Sequence, residues 1–171
     1  MTTYDEAVNT ILRYTHALEI GEVLFSRIAM GPGASAAFGV IDNPPQSGAK
    51  TEKPVFALSG PPSGALINCE TLVRPGVLKM RGIMDVRHQT IPAEAADSVS
   101  RKMPKTFVRW TRLTRNGRGY RVTLNPTERT GPLAVMAAAN FLTIIPERTS
   151  VKAGDGIEVL PLDRMGIQSL A

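Results

Sequence analysis

Cysteine is nearly absent from this chain: Cys69 is the only one in 171 residues. A single thiol excludes an internal disulfide and suits a reducing compartment. Cys69 itself reads as a small buried hydrophobe on a helix. Histidine is almost as scarce, and neither His16 nor His88 stands at metal-ligand spacing from Cys69, so both read as ordinary surface or half-buried residues. The carboxylates are scattered singly, with no close pair suited to acid–base work or to Mg²⁺. There is no phosphate-loop lysine motif and no nucleophile elbow. No apolar run approaches the roughly 18 residues of a membrane span. The opening Met1-Thr2-Thr3-Tyr4-Asp5-Glu6 is polar and acidic, unlike a signal or transit peptide. These absences lead to the expectation of a cytoplasmic protein with no membrane partner.

What is present is a core-forming composition, 43% hydrophobic, and a net charge of +5. That length suits one large domain or two small ones. Much of the positive charge lies in Arg101, Lys102, Lys105, Arg109, Arg112, Arg115, Arg118 and Arg121. Such a cluster can collect a small anionic ligand, form a solvated strand face or touch nucleic acid. Nucleic acid ranks last, because only Phe107, Trp110 and Tyr120 interleave as stacking aromatics.

Thr3-x-x-Glu6 is a capping box, and Ala7, Ile11, Tyr14 and Leu18 continue it as an apolar helical stripe. Strands are expected over 22–30, 36–41 and 54–58, with a polar surface loop from Ile41 to Lys53. A helix should start near Pro62, kink near Arg74 ahead of Pro75 and end at Gly82. Beyond Gly82 helical periodicity fades. Phe107–Leu113 and Tyr120–Leu124 flank an Asn116-Gly117-Arg118-Gly119 hairpin signal. Leu133–Ala139 reads as a short helix or tight packing segment, and Phe141–Ile145 and Ile157–Leu160 as strands. The expected division is therefore an α/β segment over 1–81 and a small all-β, barrel-like domain over 82–171.

Two strand ends lead into Gly/Pro/Ser loops: Gly31-Pro32-Gly33 after the first strand, and Ser59-Gly60-Pro61-Pro62-Ser63-Gly64 after the third. Backbone N–H groups in such loops can meet an anion, and the second loop opens a helix whose N-terminus favours negative charge. The same residues also make plain turns.

Five short motifs in order resemble one family: Arg27-Ile28-Ala29-Met30-Gly31-Pro32-Gly33 with Ala37-Phe38-Gly39, Phe56-Ala57-Leu58-Ser59-Gly60-Pro61-Pro62, Leu78 to Asp85, Gly131-Pro132-Leu133 with Ala139-Asn140-Phe141-Leu142, and Ala153 to Val159. The family is the MoeA-type molybdopterin molybdenumtransferases, which include the E domain of gephyrin. The resemblance implies that residues 1–81 are the end of a molybdopterin-binding-like three-layer α/β domain and that a β-barrel-like C-terminal domain follows. It implies molybdenum cofactor biosynthesis, in which molybdate is inserted into adenylated molybdopterin with Mg²⁺ assisting release of AMP, in a homodimer. The family's acidic and Gly-rich pterin motifs precede the segment that residue 1 matches. The chain thus resembles a truncated or divergent enzyme whose metal-binding residues lie elsewhere. The alternative is a non-catalytic module of this fold that binds an anion or a partner.

The resemblance also points to residues. In the family the first loop carries two lysines around Pro-Gly. Here those positions are neutral, which removes charge-assisted hydrogen bonds about twice as strong as neutral ones. The candidate anion site is Pro32, Gly33, Ser35, Ser59, Gly60, Pro62 and Ser63, joined by Arg109 and Thr130. Phe107-Val108-Arg109 resembles the family's aromatic-x-Arg element, and Thr130-Gly131 stands where Ser-Gly is usual. Arg109 can equally be a solvated strand arginine paired with a carboxylate such as Glu128.

Overall fold

The structure is a computed structural model that describes residues 21–43, 51–99, 104–117, 119–124 and 132–162. The amphipathic stripe of residues 3–18, Glu128 and Thr130 lie outside the described residues. The chain forms two compact units. One comprises Met1–Ser26 with Ala37–Ala57, and the other Arg27–Ala36 with Leu58–Ala171. The expected division at 81/82 falls inside the second unit, because the helical stretch after Leu58 clusters with the strands that follow it.

In the first unit, β1 (Glu22–Phe25), β3 (Ala37–Asn43) and β4 (Thr51–Ala57) make a sheet in the order β1-β3-β4. Both pairings are antiparallel. The α/β layering expected here is not seen among the described residues. β1 and β4 do run in the same direction, because each is antiparallel to the β3 strand between them. The loop expected over Ile41–Lys53 is shorter than its polarity suggested, since the ladder extends to Asn43 opposite Thr51. Three tilted rings, Phe25, Phe38 and Phe56, stack across the sheet with centroids 6.0 and 4.8 Å apart. The single strand expected over 22–30 is broken. β1 stops at Phe25 beside a register shift, and β2 (Met30–Gly31) belongs to the second unit, where it pairs in parallel with Thr106 and Phe107.

The second unit is built on a closed barrel of five strands. These are β5 (Ile91–Ala95), β6 (Thr106–Asn116), β7 (Gly119–Thr123), β8 (Phe141–Ile145) and β9 (Gly156–Pro161). The order is β6-β7-β5-β9-β8, and β8 returns to β6 to close the ring. β6 achieves closure by changing partner halfway: Phe107–Thr111 pairs with β8 and Arg112–Asn116 with β7. Alternation along β8 sends Phe141 and Ile145 into the interior and Leu142 outward. Inside, they pack with Ala93, Leu113, Val122, Leu124 and Val159. Buried Thr111 and Thr143 satisfy one another at 3.1 Å, and Thr111 also donates to the Phe141 carbonyl.

Among the described residues the α-helices are α1 (Pro62–Asn68), α2 (Arg74–Met80) and α3 (Pro132–Ala138). Between α1 and α2 the chain widens into a π turn over Cys69–Val73, where the Arg74 N–H reaches back five residues to the Cys69 carbonyl. Pro75 has no N–H to give Thr71 and its ring crowds that carbonyl, so a wider turn ahead of it relieves the clash. The kink expected near Arg74 takes this form. Gly82, at φ +77°, ends α2 as expected, with the Ile83 N–H returning to Leu78. The buried face of α1 is Gly64, Ile67 and Asn68. Ile67 packs with Val108, Leu142 and Leu160 on the barrel's outer surface. Cys69 is therefore exposed rather than buried as expected: one residue past Asn68 turns it about 100° off that face.

Candidate functional site

The two Gly/Pro/Ser loops meet, and one side chain joins them. Asn68 is fully buried at the end of α1. Its Oδ1 accepts from the Ser59 N–H at 3.2 Å, while its Nδ2 donates to the Gly33 carbonyl at 3.1 Å. Both halves of the amide are used, so Asn68 acts as a clamp 35 residues away in sequence from one of its partners. Gly33 needs its glycine twice over. Its φ is +104°, and a Cβ there would stand 2.6 Å from Asn68 Nδ2. A Cβ on Gly64 would come within 3.1 Å of the Gly33 nitrogen. The loops are in contact because neither has a side chain at the crossing.

The sequence-expected residues divide around this clamp. Gly33 and Ser59 are buried in it, Ser35, Gly60 and Pro62 are exposed, and Pro32 is half-buried after a cis Gly31–Pro32 peptide. Pro61 precedes α1 with no side-chain cap, and Pro62 occupies its first turn, so neither contributes an N–H. Ser63 Oγ accepts from Trp110 Nε1 at 2.7 Å, which pins the start of α1 to the barrel. The Ser59 N–H, counted from sequence as a donor for an anion, is engaged by Asn68.

Arg109 lies on β6, half-buried, with its Nε donating to the Leu124 carbonyl at 2.9 Å. The Leu124 N–H donates to Asp97 at 2.6 Å, so the backbone of one residue is held on its two sides by a cation and an anion. Burial lowers the guanidinium's pKa, and Asp97 pulls it back up. The guanidinium carbon sits 5.5 Å from the centre of the Phe107 ring, two residues away on the same strand face. Arg109 lines a cleft of about 110 Å³ with Lys105, Phe107, Ile145 and Thr149.

Of the rest of the basic cluster, Arg101, Lys102 and Arg118 lie outside the described residues. Arg112, Arg115 and Arg121 are exposed, and Arg121 stands 3.9 Å from Glu94 on the neighbouring strand. His88 is tucked against the π turn, its Nε2 3.1 Å from the Glu70 carbonyl and 3.4 Å from the Glu70 carboxylate. Among the described residues no group of three or more His, Cys, Asp or Glu is arranged to hold a metal ion. None of the described helices is long and apolar enough to cross a membrane.

Sequence reasoning missed Asn68 and singled out Lys105 only as one charge among eight. Asn68 did leave a trace: asparagine is a poor residue inside a helix, and one there without a cap to form usually bonds elsewhere.

No family model matches the chain. Curated relatives do. Proteins named molybdopterin molybdenumtransferase from Staphylococcus aureus strains COL and Mu50 are 29% identical over 141 residues, covering 81% of this chain. The chain resembles the molybdopterin molybdenumtransferases. It spans about a third of their length, 31%, as a C-terminal portion of such a protein would. Solved structures share the fold. The molybdopterin biosynthesis MoeA protein of Pyrococcus horikoshii matches at a TM-score of 0.63 and 24% identity, over 93% of this chain and 35% of that one. A molybdenum cofactor biosynthesis protein of Pyrococcus furiosus matches at 0.61 and 17%, over 82% and 45%. The neutral Gly31 and Ala34, where molybdopterin molybdenumtransferases were expected to carry lysine, lie on the clamped loop.

Proposed function

We propose that this chain serves molybdenum cofactor biosynthesis as the oxyanion-facing portion of a divergent molybdopterin molybdenumtransferase. The observation that carries this reading is the Asn68 clamp, which holds the Pro32–Ser35 and Ser59–Gly64 loops side by side. The names of its curated relatives supply the chemistry, transfer of molybdenum to molybdopterin, and the family resemblance makes molybdate the inorganic substrate. In this reading the Ser63 and Gly64 N–H groups and the hydroxyls of Ser35 and Ser59 face the oxyanion, with Arg109 and Thr130 as ligands by resemblance. A homodimer follows from the same resemblance. The described residues hold no group of three or more His, Cys, Asp or Glu arranged for Mg²⁺.

Alone, the chain should not release AMP from adenylated molybdopterin in the presence of molybdate, because among the described residues no carboxylate cluster is at hand to organise the leaving phosphate. Turnover by the purified 171-residue chain would overturn that. The binding half is tested by titrating molybdate while following amide NMR shifts. The largest shifts are expected at Gly33 and Ser59–Gly64, with a Kd on the order of millimolar, since each neutral N–H contributes only about 1 kcal/mol. Silence there would sink the loop assignment. A second reading, a non-catalytic anion- or partner-binding module, is favoured by the neutral Gly31 and Ala34. Molybdate-dependent AMP release after addition of the N-terminal two-thirds of a relative would exclude it.

A further inference from the structure

The loop that carries Gly31 has no cation of its own, but a cation lies across it. A Cβ built on Gly31 would stand 2.9 Å from Lys105 Cε, 3.1 Å from Lys105 Nζ and 3.5 Å from the Phe107 ring. The ammonium of Lys105 thus occupies the space where a side chain at residue 31 would begin. Parallel pairing of Met30 with Thr106 and of Gly31 with Phe107 sets β2 alongside the first residues of β6, which Lys105 directly precedes. Lys105 also lines the cleft that holds Arg109, Phe107 and Thr149, and no carboxylate is among the lining residues.

We infer that Lys105 supplies, from the barrel, the positive charge that the clamped loop lacks. On this view the cleft between Lys105 and Arg109 is a subsite for a tetrahedral oxyanion, whether inorganic phosphate, a phosphate monoester or molybdate. Glycine at 31 and lysine at 105 form one arrangement: a side chain at 31 would displace the lysine. Thr149 lies at the cleft's edge, its hydroxyl donating to the Glu147 carbonyl at 3.3 Å, and Phe107 gives the two cations an apolar floor on which charge-assisted bonds are less screened. The inference rests on the paired-loop reading for the identity of the physiological ligand alone; the cleft stands on its own geometry.

The test uses the full chain with inorganic phosphate as probe, followed by calorimetry and by amide spectra that also confirm folding. The wild-type chain should bind phosphate at millimolar concentration. Lys105→Gln, which keeps most of the aliphatic stem, should weaken binding roughly tenfold, the equivalent of one lost charge-assisted bond. Lys105→Arg should bind like the wild type. Gly31→Lys combined with Lys105→Ala should recover most of the affinity lost in Lys105→Ala, because the charge returns to the same place from the other strand. Unchanged binding in Lys105→Gln, or a double variant no tighter than Lys105→Ala, overturns the inference. Molybdate is the second arm. Shifts at Ser59–Gly64 that ignore the Lys105 variants would leave the loop reading standing and overturn this one. Phosphate binding that falls with Lys105 while the loops stay silent to molybdate would do the reverse.

Discussion

The barrel and the three-stranded sheet are both built of paired strands, yet they hold themselves together differently. The barrel closes on itself, so every one of its five strands has two neighbours and its interior is sealed by ten buried apolar residues. Among the described residues the β1-β3-β4 sheet has two open edges, and none of its residues is fully buried. Val23 is 68% exposed, and Leu24 and Val55 also face outward. Its outer strand β4 carries Lys53 and Pro54, which blunt an edge that would otherwise invite pairing. Closure, not strand count, decides where stability resides. A closed ladder converts alternation into a core, while an open one needs something laid over it.

The largest test of that contrast is Phe141→Ala. Its ring is fully buried in the barrel interior, so truncation should cost about 3–5 kcal/mol in denaturant unfolding. A loss below about 1 kcal/mol would mean that the barrel core is not the seat of stability. Next is Asn68→Ala, which strips partners from the Ser59 N–H and the Gly33 carbonyl. It should cost about 2–4 kcal/mol and accelerate hydrogen exchange at Ser59, with the barrel amides unchanged. Slow exchange at Ser59 in that variant would show that the loops do not depend on the clamp. A smaller effect is expected from Asn140→Ala. Asn140 accepts from the Leu113 N–H at 2.9 Å and donates to the Leu113 carbonyl at 3.2 Å, imitating a strand residue just ahead of β8. Its removal should cost about 1–2 kcal/mol and loosen the start of β8 in amide spectra. Smallest of all, Leu24→Thr in the open sheet should change stability by no more than about 0.5 kcal/mol. A loss near 2 kcal/mol would show that its exposed face is covered in solution.

What sequence could and could not reveal follows the same division. β8 was legible to the residue, because Phe141-Leu142-Thr143-Ile144-Ile145 is apolar, β-branched and bounded by Asn140 and Pro146. The β6–β7 hairpin was legible from its Asn-Gly signal, although β6 runs three residues further than Leu113. β5 was not: Ile-Pro-Ala-Glu-Ala has little strand propensity, and it is held by β9 and β7, partners that lie far along the chain. The break in 22–30 was hidden for a related reason. One apolar run serves two sheets, and apolarity does not say which partner each half will find. At the candidate site, the loops could be read from their glycines and prolines. Asn68 and Lys105 act across 35 and 74 positions, and no local pattern encodes such a reach.

Trp110 gives the last consequence. It is the chain's only tryptophan, and its indole N–H is bonded to Ser63 at the head of α1. The molecule therefore carries an optical gauge fixed to the barrel and touching the loop-to-helix junction. Emission colour and quenching of one fluorophore read whether that junction is seated, without any label. Ligand arrival at the Ser59–Gly64 loop and thermal release of α1 would each be visible from the same ring, at wavelengths that the three tyrosines do not reach.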